Sequence, residues 1–259
     1  MKKFLALILT ITFLSFGDDS FAKNKNEKEV AQLSVLTDED FENYESDNVS
    51  IIHDPWERYN RKIYAFNDVI DRYFLEYVAT AYREEVPRKV RISVRNFLVN
   101  LSAPISAINS LLQGEMNNSL ATFSNFLINT TIGVGGIFNI AEEKGITYHR
   151  EDFGQTIAHY GVGSGYYLYL PLFGPSSTRD FTGFAIEMAV NPLDFNQLEI
   201  GGSIHLIDYQ YRIALAVATG VDKREQLINI ISDIRADSFD PYATIRSAYL
   251  QRRISEIKQ

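Results

Sequence analysis

Residues 90–131 read VRISVRNFLVNLSAPISAINSLLQGEMNNSLATFSNFLINTT, and this stretch decides the fold class. Its large apolar residues recur every three or four positions along two runs that Gly114 separates. Because this spacing puts apolar side chains on one face of a helix, it predicts two successive amphipathic helices. We expect Pro104 to break or kink the first helix and Gly114 to end it.

Helical periodicity also precedes this stretch. Asp54-Pro55 has the pattern of an N-cap residue followed by proline at the first helical position. From Val69 to Tyr82, apolar residues repeat every four positions. We expect this helix to end before Pro87, because the residue before a proline disfavours helical geometry.

The same pattern returns in the last third of the chain. Helices are predicted at residues 178–190, 203–218 and 222–236, and Asp240-Pro241 is predicted to open the last helix. The sequence therefore predicts an all-α protein with no domain boundary after residue 54.

One irregular segment interrupts the helices. Residues 153–175 lack a helical period and are predicted to form a hairpin or a long loop. Gly161, Gly163 and Gly165 alternate there before an apolar run that begins at Tyr166. Alternating glycine lets the backbone bend freely, and tyrosines combine an apolar body with a polar tip. Such a segment suits contact with lipid better than chemistry on a small polar substrate.

A second glycine-rich segment lies between two predicted helices. Residues 132–137 read IGVGGI, with Gly133, Gly135 and Gly136 close together. We interpret this segment as a flexible joint, with plain turn geometry as the alternative.

The first residues resemble an export signal. Lys2 and Lys3 precede an apolar run that is too short to cross a bilayer, and small residues stand at positions 20 and 22. We interpret residues 1–22 as a signal peptide and the acidic residues 23–53 as a disordered leader. The helical domain is then expected at residues 54–253, followed by a C-terminal tail at residues 254–259.

Composition excludes several classes of function. The chain has a net charge of −8, which argues against nucleic acid as a partner. It contains no cysteine, so disulfides, thiolate metal sites and cysteine nucleophiles are excluded. Aromatic residues make up 13% of the chain, and part of this surplus is expected to face lipid or another protein.

Catalytic signatures are weak. Gly163-Ser164-Gly165 lacks the spacing of a nucleophile elbow, and the four histidines are too scattered to form a local metal pair. No cofactor and no metal are expected. One enzymatic alternative stays open, a lipid hydrolase or acyltransferase that uses His159 and Ser164. Another alternative is a structural adaptor that binds a porin through exposed tyrosines.

Several ordered blocks together resemble the MlaA/VacJ family of the bacterial outer membrane. Residues 54–67, DPWERYNRKIYAFN, are similar to the family's opening pattern D-P-x-E-x-x-N-R-x-x-[YF]-x-F-N. Further similar blocks are Arg95-Asn96-Phe97, Leu112-Gln113-Gly114, Gly133–Ile137, Asp152–Thr156, His159–Gly163 and Asp240-Pro241-Tyr242. The resemblance spans roughly residues 53–253.

The resemblance implies a phospholipid transport component rather than an enzyme. Members form a ring of helices around an amphipathic pore in the inner leaflet of the outer membrane. They associate with a trimeric porin, remove mislocalised phospholipid from the outer leaflet and pass it to a soluble periplasmic carrier. The glycine- and tyrosine-rich segment would correspond to a hairpin beside the pore. Its expected gate residues are Tyr160, Gly161, Gly163, Gly165 and Tyr166, with Gly133, Gly135 and Gly136 as hinge residues.

One departure affects the expected attachment to the membrane. Typical members carry an acylated cysteine just after the signal peptide, and this chain has none. The chain is therefore not expected to be a cysteine-anchored lipoprotein. Amphipathic helices and the porin partner would hold it at the membrane.

Overall fold

The protein is described by a computed structural model covering residues 54–190 and 209–258. Helices dominate these ranges, and the strands in them form one two-stranded antiparallel sheet. The all-α fold class is confirmed. The predicted signal peptide and leader lie outside the described residues. In chain order the elements are α1 (Glu57–Ile70), a π-helical turn (Asp71–Leu75), α2 (Glu76–Glu85), α3 (Arg88–Leu112), α4 (Met116–Thr131), α5 (Ile140–Glu143), α6 (Phe153–His159), β1 (Tyr167–Leu170), β2 (Gly174–Ser177), α7 (Thr178–Val190), α8 (Tyr209–Gln226), α9 (Ile228–Asp237) and α10 (Pro241–Ile257).

The first helices follow the predicted stripe but start later than predicted. Helix α1 continues through the π-helical turn into α2, and Val86 adopts an extended conformation before Pro87, as expected. The prediction that Asp54 caps the first helix is wrong, because α1 begins at Glu57 after Trp56. The Asp54 carboxylate instead accepts hydrogen bonds from the side chains of Asn60 and Arg246.

Helices α3 and α4 pack against each other along most of residues 90–131. Helix α3 runs through Pro104 to Leu112, so the break allowed at this proline does not occur. Gly114 follows the end of α3 with φ +80°, the left-handed conformation that favours glycine after a helix. The predicted helix end at Gly114 is confirmed.

The boundary between the helices α8 and α9 differs from the prediction. Helix α8 ends at Gln226 and α9 begins at Ile228, whereas the sequence predicted a division near residue 220. Ion pairs explain the longer α8, because Arg224 in its last turn forms a bidentate pair with Asp71 at 2.6 and 2.9 Å. Residues 203–208, the predicted start of this helix, lie outside the described ranges. Asp240 caps α10 through the N–H of Ala243, as predicted.

The irregular insert contains the predicted hairpin and one short helix. Residues 153–159 form α6, which Asp152 caps by accepting the N–H of Gln155 at 2.9 Å. The prediction of no helix in this part is therefore wrong, since seven residues are too few to display a helical period. Strands β1 and β2 then pair in the register Tyr167↔Ser177 to Leu170↔Gly174.

Among the described helices, none has both the length and the apolar character that a bilayer crossing requires.

Candidate functional site

Polar side chains fill much of the interior of the described domain. On α3 and α4, Asn100 donates to Thr130 at 2.9 Å, and Asn129 donates to Asn125 at 2.8 Å. Unpaired buried amides would be costly, so this interior depends on hydrogen bonds rather than on apolar contact alone. The buried polar residues include Asn60, Asn100, Asn109, Ser110, Thr122, Asn125, Asn129, Gln155 and Thr156.

Outside a cluster of buried tyrosines, many large apolar side chains show the opposite trend and lie at the surface. On the α1–α2 helix, Tyr73 is 84% exposed and Tyr77 is 77% exposed. Further exposed apolar residues follow on α3, α4, the hairpin and α7: Ile108, Leu111, Leu112, Met116, Leu120, Phe123, Leu127, Leu172, Phe173, Phe181, Phe184 and Met188. So much exposed apolar surface indicates contact with lipid or with another protein.

Two asparagines hold the outer edge of the hairpin. The amide of Asn60 donates to the carbonyl of Tyr167 at 3.1 Å and accepts the N–H of Tyr169 at 2.9 Å. Asn67 repeats this pattern, donating to Leu170 and accepting from Leu172, each at 2.9 Å. The two asparagines lie seven residues apart and therefore share one face of α1. They satisfy the backbone groups that a second neighbouring strand would otherwise pair.

A cluster of tyrosines packs between the hairpin and α10. Tyr167 is fully buried, and its ring lies 6.1 Å from Tyr242 and 6.0 Å from Tyr249. Tyr169 makes an edge-to-face contact with Tyr64 at 5.5 Å. Burial raises the pKa of Tyr167 and Tyr169 above the ordinary tyrosine value, so both phenols stay neutral.

Arg253 joins three elements beneath the hairpin. It forms a bidentate pair with Asp152 at the start of α6, both distances being 2.6 Å, and reaches Asp180 in α7 at 3.1 Å. Burial alone raises the pKa of Asp180, but the charge and hydrogen bond of Arg253 outweigh it and lower that pKa. Gly154 leaves room for this pair, because an added Cβ there would press against the guanidinium.

The predicted gate residues lie together on the segment that leads into β1. Gly161 has φ +84° and Gly165 has φ +68°, whereas Gly163 does not adopt positive φ. Tyr160 donates its hydroxyl to the carbonyl of Leu112 at the end of α3 at 2.6 Å. An added Cβ would meet nothing at Gly161 or Gly163.

Two of these gate residues are held by neighbours. The Tyr166 ring lies 5.8 Å from Trp56, and both side chains are exposed. Gly165 is confined, since an added Cβ would overlap the hydroxyl of Thr178. The segment thus combines an open part, Gly161 to Gly163, with an anchored part that begins at Gly165.

The predicted hinge glycines lie apart from the gate residues, at the end of α4. Gly135 and Gly136 have φ +73° and +91°, and their N–H groups donate to the last carbonyls of α4 at 2.9 and 2.7 Å. Gly136 packs on the side chain of Asn100, and Gly133 packs on backbone carbonyls, so neither has room for a Cβ. Only Gly135 faces open space among these three.

The alternative catalytic pair is not joined. The His159 ring makes an edge-to-face contact with Tyr160, and the carbonyl of Ser164 accepts from Thr178 and from the N–H of Arg179. No hydrogen bond links His159 to Ser164, both of which are described. Within the described ranges no cluster of three or more histidine or carboxylate side chains could hold a metal ion.

Sequence reasoning missed the side chains that hold this site together. Asn60, Asn67 and Arg253 were assigned no role in it, although the first two fall within a motif block and Arg253 falls in the last helix. For Asn60 and Asn67, the available signal was their seven-residue spacing, which places both on one face of α1. Arg253 gave no signal, because an arginine near a helix C-terminus is explained equally well by the helix dipole.

Comparison with known proteins identifies the family. The profile described as MlaA lipoprotein matches residues 52–256. A Rickettsia bellii protein is 34% identical over 226 residues, 85% of each chain. The intermembrane phospholipid transport system lipoprotein MlaA of Escherichia coli K12 is 33% identical over 203 residues, 77% of this chain and 76% of its own. A solved structure from work on the structural basis for maintenance of bacterial outer membrane lipid asymmetry is 31% identical. It superimposes with a TM-score of 0.67 over 79% of this chain and 99% of its own. This chain belongs to the MlaA lipoprotein family.

Proposed function

We propose that this protein is an outer-membrane phospholipid transport component that maintains lipid asymmetry. It removes mislocalised phospholipid from the outer leaflet through an amphipathic pore and passes it to a periplasmic carrier. The observation that carries the proposal is the distribution of side chains, with many asparagine and threonine residues buried and many large apolar residues exposed. The E. coli relative, named for intermembrane phospholipid transport, supports it.

The exposed apolar faces suit helices that lie within one leaflet. Complete transfer of a Phe, Leu or Met side chain from water to an apolar environment is favourable by about 1.5–3 kcal/mol. The half-exposed side chains on α1 to α4 each gain part of this free energy, and together they favour insertion. A helix that lies in the leaflet needs no bilayer-spanning length. The absence of cysteine removes the thiol that a lipid anchor needs, so these faces carry the attachment together with a trimeric porin partner.

The polar interior suits the headgroup of a passing phospholipid. A headgroup loses hydration when it leaves the membrane surface, and amide and hydroxyl groups replace the lost hydrogen bonds. The open segment at Gly161 and Gly163 would act as the gate, with Gly133, Gly135 and Gly136 as hinge residues of the neighbouring loop. Tyr160 and Tyr166 would set its resting position through Leu112 and Trp56.

Complementation tests the transport function. The full chain is expressed in a bacterium that lacks its own MlaA-family protein, and outer-leaflet aminophospholipid is labelled with a membrane-impermeant amine reagent. We expect labelling to fall to the level of the parent strain. Unchanged labelling at normal protein abundance would contradict the proposal and leave the porin-binding adaptor as the better account.

One variant sharpens this test. Ser164→Ala should complement like the unaltered chain, because the proposal needs no nucleophile. Loss of complementation with an intact fold would instead favour the lipid hydrolase or acyltransferase.

Photo-crosslinking tests whether lipid passes the proposed gate. Photoreactive side chains are placed at the exposed positions Val162, Leu172 and Phe173 of the hairpin segment, with Lys144 as an exposed control outside it. We expect phospholipid adducts at the three hairpin positions and few at residue 144. If none of the three positions captures phospholipid in membranes, the hairpin is not part of the path.

A further inference from the structure

Two glutamates without a cation partner lie where α3, α6 and α7 meet. Glu151, which comes two residues before α6, is buried, and Glu187 in the last turn of α7 is partly buried. Among the described side chains, no lysine or arginine lies within ion-pair distance of either carboxylate. A charge in such a place costs free energy unless a cation compensates it. The protonation state of both glutamates therefore affects this junction.

A continuous chain of hydrogen bonds connects the two glutamates. The amide of Gln113 donates to Glu151 at 2.9 Å and to the hydroxyl of Thr156 at 3.2 Å. Thr156 donates to Asn109 at 2.9 Å, and Asn109 donates to Glu187 at 3.2 Å. Asn109 and Gln113 lie at the end of α3, whereas Thr156 lies in α6. We call these five residues the carboxyl network, and it joins α6 to α3.

Helix α6 depends on such contacts because it is short. A helix of seven residues is not stable in water by itself. The N–H of Phe153, its first residue, donates to Glu187 at 2.7 Å. The N–H of Glu151 donates to Ser106 on α3 at 2.8 Å. A change of charge at either glutamate therefore acts directly on the contacts that hold the start of α6.

The proposed gate segment is attached beside the same network. Tyr160, directly after α6, donates its hydroxyl to the carbonyl of Leu112 at 2.6 Å, and Leu112 directly precedes Gln113. An added Cβ at Gly161 or Gly163 would meet no atom. The segment therefore has room to move together with α6.

The surrounding cations are already paired with aspartates. Arg253 on α10 pairs with Asp152 at 2.6 Å and with Asp180 at 3.1 Å, and Arg179 pairs with Asp180 at 3.0 Å. The other titratable or charged groups on the elements packed around the network are Glu115, His149, Arg150, His159, Tyr249 and Glu256. Two further negative charges at the network would therefore exceed the positive charges there.

Burial outweighs the hydrogen bonds that the two glutamates accept. Burial is the largest cause that raises the pKa of Glu151 and of Glu187, and the charge of Asp152 raises both pKa values further. A carboxyl group with a raised folded pKa stabilises the folded arrangement below its unfolded pKa. It loses this contribution as pH rises through the folded pKa. The contacts of α6 should therefore weaken as pH rises.

We propose that Glu151 and Glu187 form a pH-sensitive switch that holds α6 and residues 160–165 against α3. When both carboxyl groups are neutral, the network is intact and α6 is docked. When they ionise, they repel Asp152 and gain hydration by moving towards water, so α6 loosens together with the segment behind it. The consequence for lipid rests on the proposed transport function: phospholipid should pass this segment more readily at pH 7.5 than at pH 5.5.

Distances between two spin labels test the switch in the purified full chain in neutral detergent. The chain contains no cysteine, so introduced cysteines are labelled selectively. One pair is Val162→Cys with Leu127→Cys, and the control pair is Leu111→Cys with Leu127→Cys; all three positions are exposed. From pH 5.5 to pH 7.5 we expect the population at the docked 162–127 distance to fall at least about twofold. The control distance should not change.

Neutral variants identify the groups that respond to pH. Glu151→Gln combined with Glu187→Gln keeps acceptor oxygens but removes both charges, so the 162–127 distance should no longer change with pH. Each single variant should reduce the change by roughly half, and these two carry the test if thermal unfolding shows that the double variant is not folded. Glu143→Gln alters an exposed carboxyl group outside the network and should keep the full response.

Histidine variants exclude the other groups that titrate in this range. His149→Gln and His159→Gln should each retain the pH response. A response that disappears in either histidine variant overturns the switch. So does a response that persists when both glutamates are replaced.

A transport measurement separates the switch from the proposed function. Cells that depend on this chain are grown at pH 5.5 or pH 7.5, and outer-leaflet aminophospholipid is then labelled at one common pH. We expect more labelling after growth at pH 5.5 with the unaltered chain, and equally high labelling at both pH values with the double glutamine variant. If the distances respond to pH but the labelling does not, the switch stands and its role in lipid passage is overturned. If the distances do not respond while the chain still complements, the switch fails and the transport function stands.

Discussion

The side-chain amide of Asn60 accepts the backbone N–H of Tyr169 at 2.9 Å across 109 residues of sequence. The same amide donates to Tyr167 and to Asp54, so one buried side chain replaces a neighbouring strand and ties the hairpin to α1. The hydrogen bonds between the hairpin and α1 therefore depend on asparagine side chains. Asparagine alone among the short side chains carries both a donor and an acceptor of this geometry.

Asn60→Leu should destabilise the protein and loosen the hairpin. It leaves the N–H of Tyr169 and the carbonyl of Tyr167 without partners in a buried place, which costs about 3 kcal/mol or more of unfolding free energy. Chemical denaturation and amide hydrogen exchange at Tyr169 measure both effects. Asn117→Leu changes an exposed asparagine and serves as the control. Unchanged exchange at Tyr169 in Asn60→Leu would show that the hairpin holds its position without this amide.

Alanine at Gly165 and Gly161 should have different consequences, although both glycines have positive φ. At Gly161 only backbone strain opposes alanine, which costs about 1–2 kcal/mol. At Gly165 the new methyl group also overlaps the hydroxyl of Thr178, so its melting temperature should fall further. The double variant Gly165→Ala with Thr178→Ala should recover part of the loss through relief of the overlap. Equal melting temperatures for the two single variants would refute the difference in packing.

Alanine substitutions at the two positive-φ glycines after α4 should also differ in how much they destabilise the protein. Gly136→Ala places a methyl group against Asn100, while Gly135→Ala has the same positive φ but open space. We expect Gly135→Ala to lower the unfolding free energy by about 1–2 kcal/mol and Gly136→Ala to lower it by more. Denaturation midpoints of the two variants measure this difference in stability. Similar values would mean that the loop moves aside easily, which is the behaviour of a hinge.

Arg253→Leu should be destabilising, by about 3 kcal/mol, because it breaks the ion pairs of this buried arginine with Asp152 and Asp180 and leaves Arg179 as the remaining cation at Asp180. Arg253→Lys should recover only part of this loss, since lysine cannot form the bidentate pair with Asp152. Arg252→Leu, which alters the exposed neighbour, is the control for stability measured by thermal unfolding. If Arg253→Leu had the same melting temperature as the control, the ion pairs by which Arg253 joins α6, α7 and α10 would not contribute to stability.

Glu187 should make stability depend on pH in the direction opposite to Asp180. Burial is the main cause that raises the pKa of Glu187. A carboxyl group with a raised folded pKa contributes stability below its unfolded pKa and loses that contribution as pH rises through the folded pKa. Glu187→Gln keeps an acceptor oxygen for the N–H of Phe153 and the amide of Asn109 but carries no charge. The variant should therefore be more stable than the unaltered chain at pH 7.

The control for this prediction is the exposed Glu143→Gln, which should change neither stability nor its pH dependence. Denaturation midpoints between pH 4 and pH 7 give the comparison. The advantage of Glu187→Gln should shrink towards pH 4, where the native carboxyl group is also neutral. An advantage that stays constant across this range would show that the charge of Glu187 is not its cause.

The sequence by itself determined the helical class, the ends of helices at Pro87 and Gly114, the cap at Asp240 and the family. These features depend on neighbours within a few residues: periodic apolar positions, proline geometry and the left-handed conformation of glycine. The apolar stripes also predicted amphipathic helices, but a stripe does not reveal whether its apolar face meets a core or a lipid.

Only the tertiary structure decided which apolar faces of the helices are exposed and which polar side chains are buried in the site. Asn60 contacts Tyr169 and Arg253 contacts Asp152, because helices distant in sequence fold onto one another. The tertiary structure also showed that Asp54 does not cap the first helix and that α8 extends to Gln226. The physical reason is that local signals act over one or two helical turns, whereas buried polar and charged groups are stabilised by whichever partners the fold supplies.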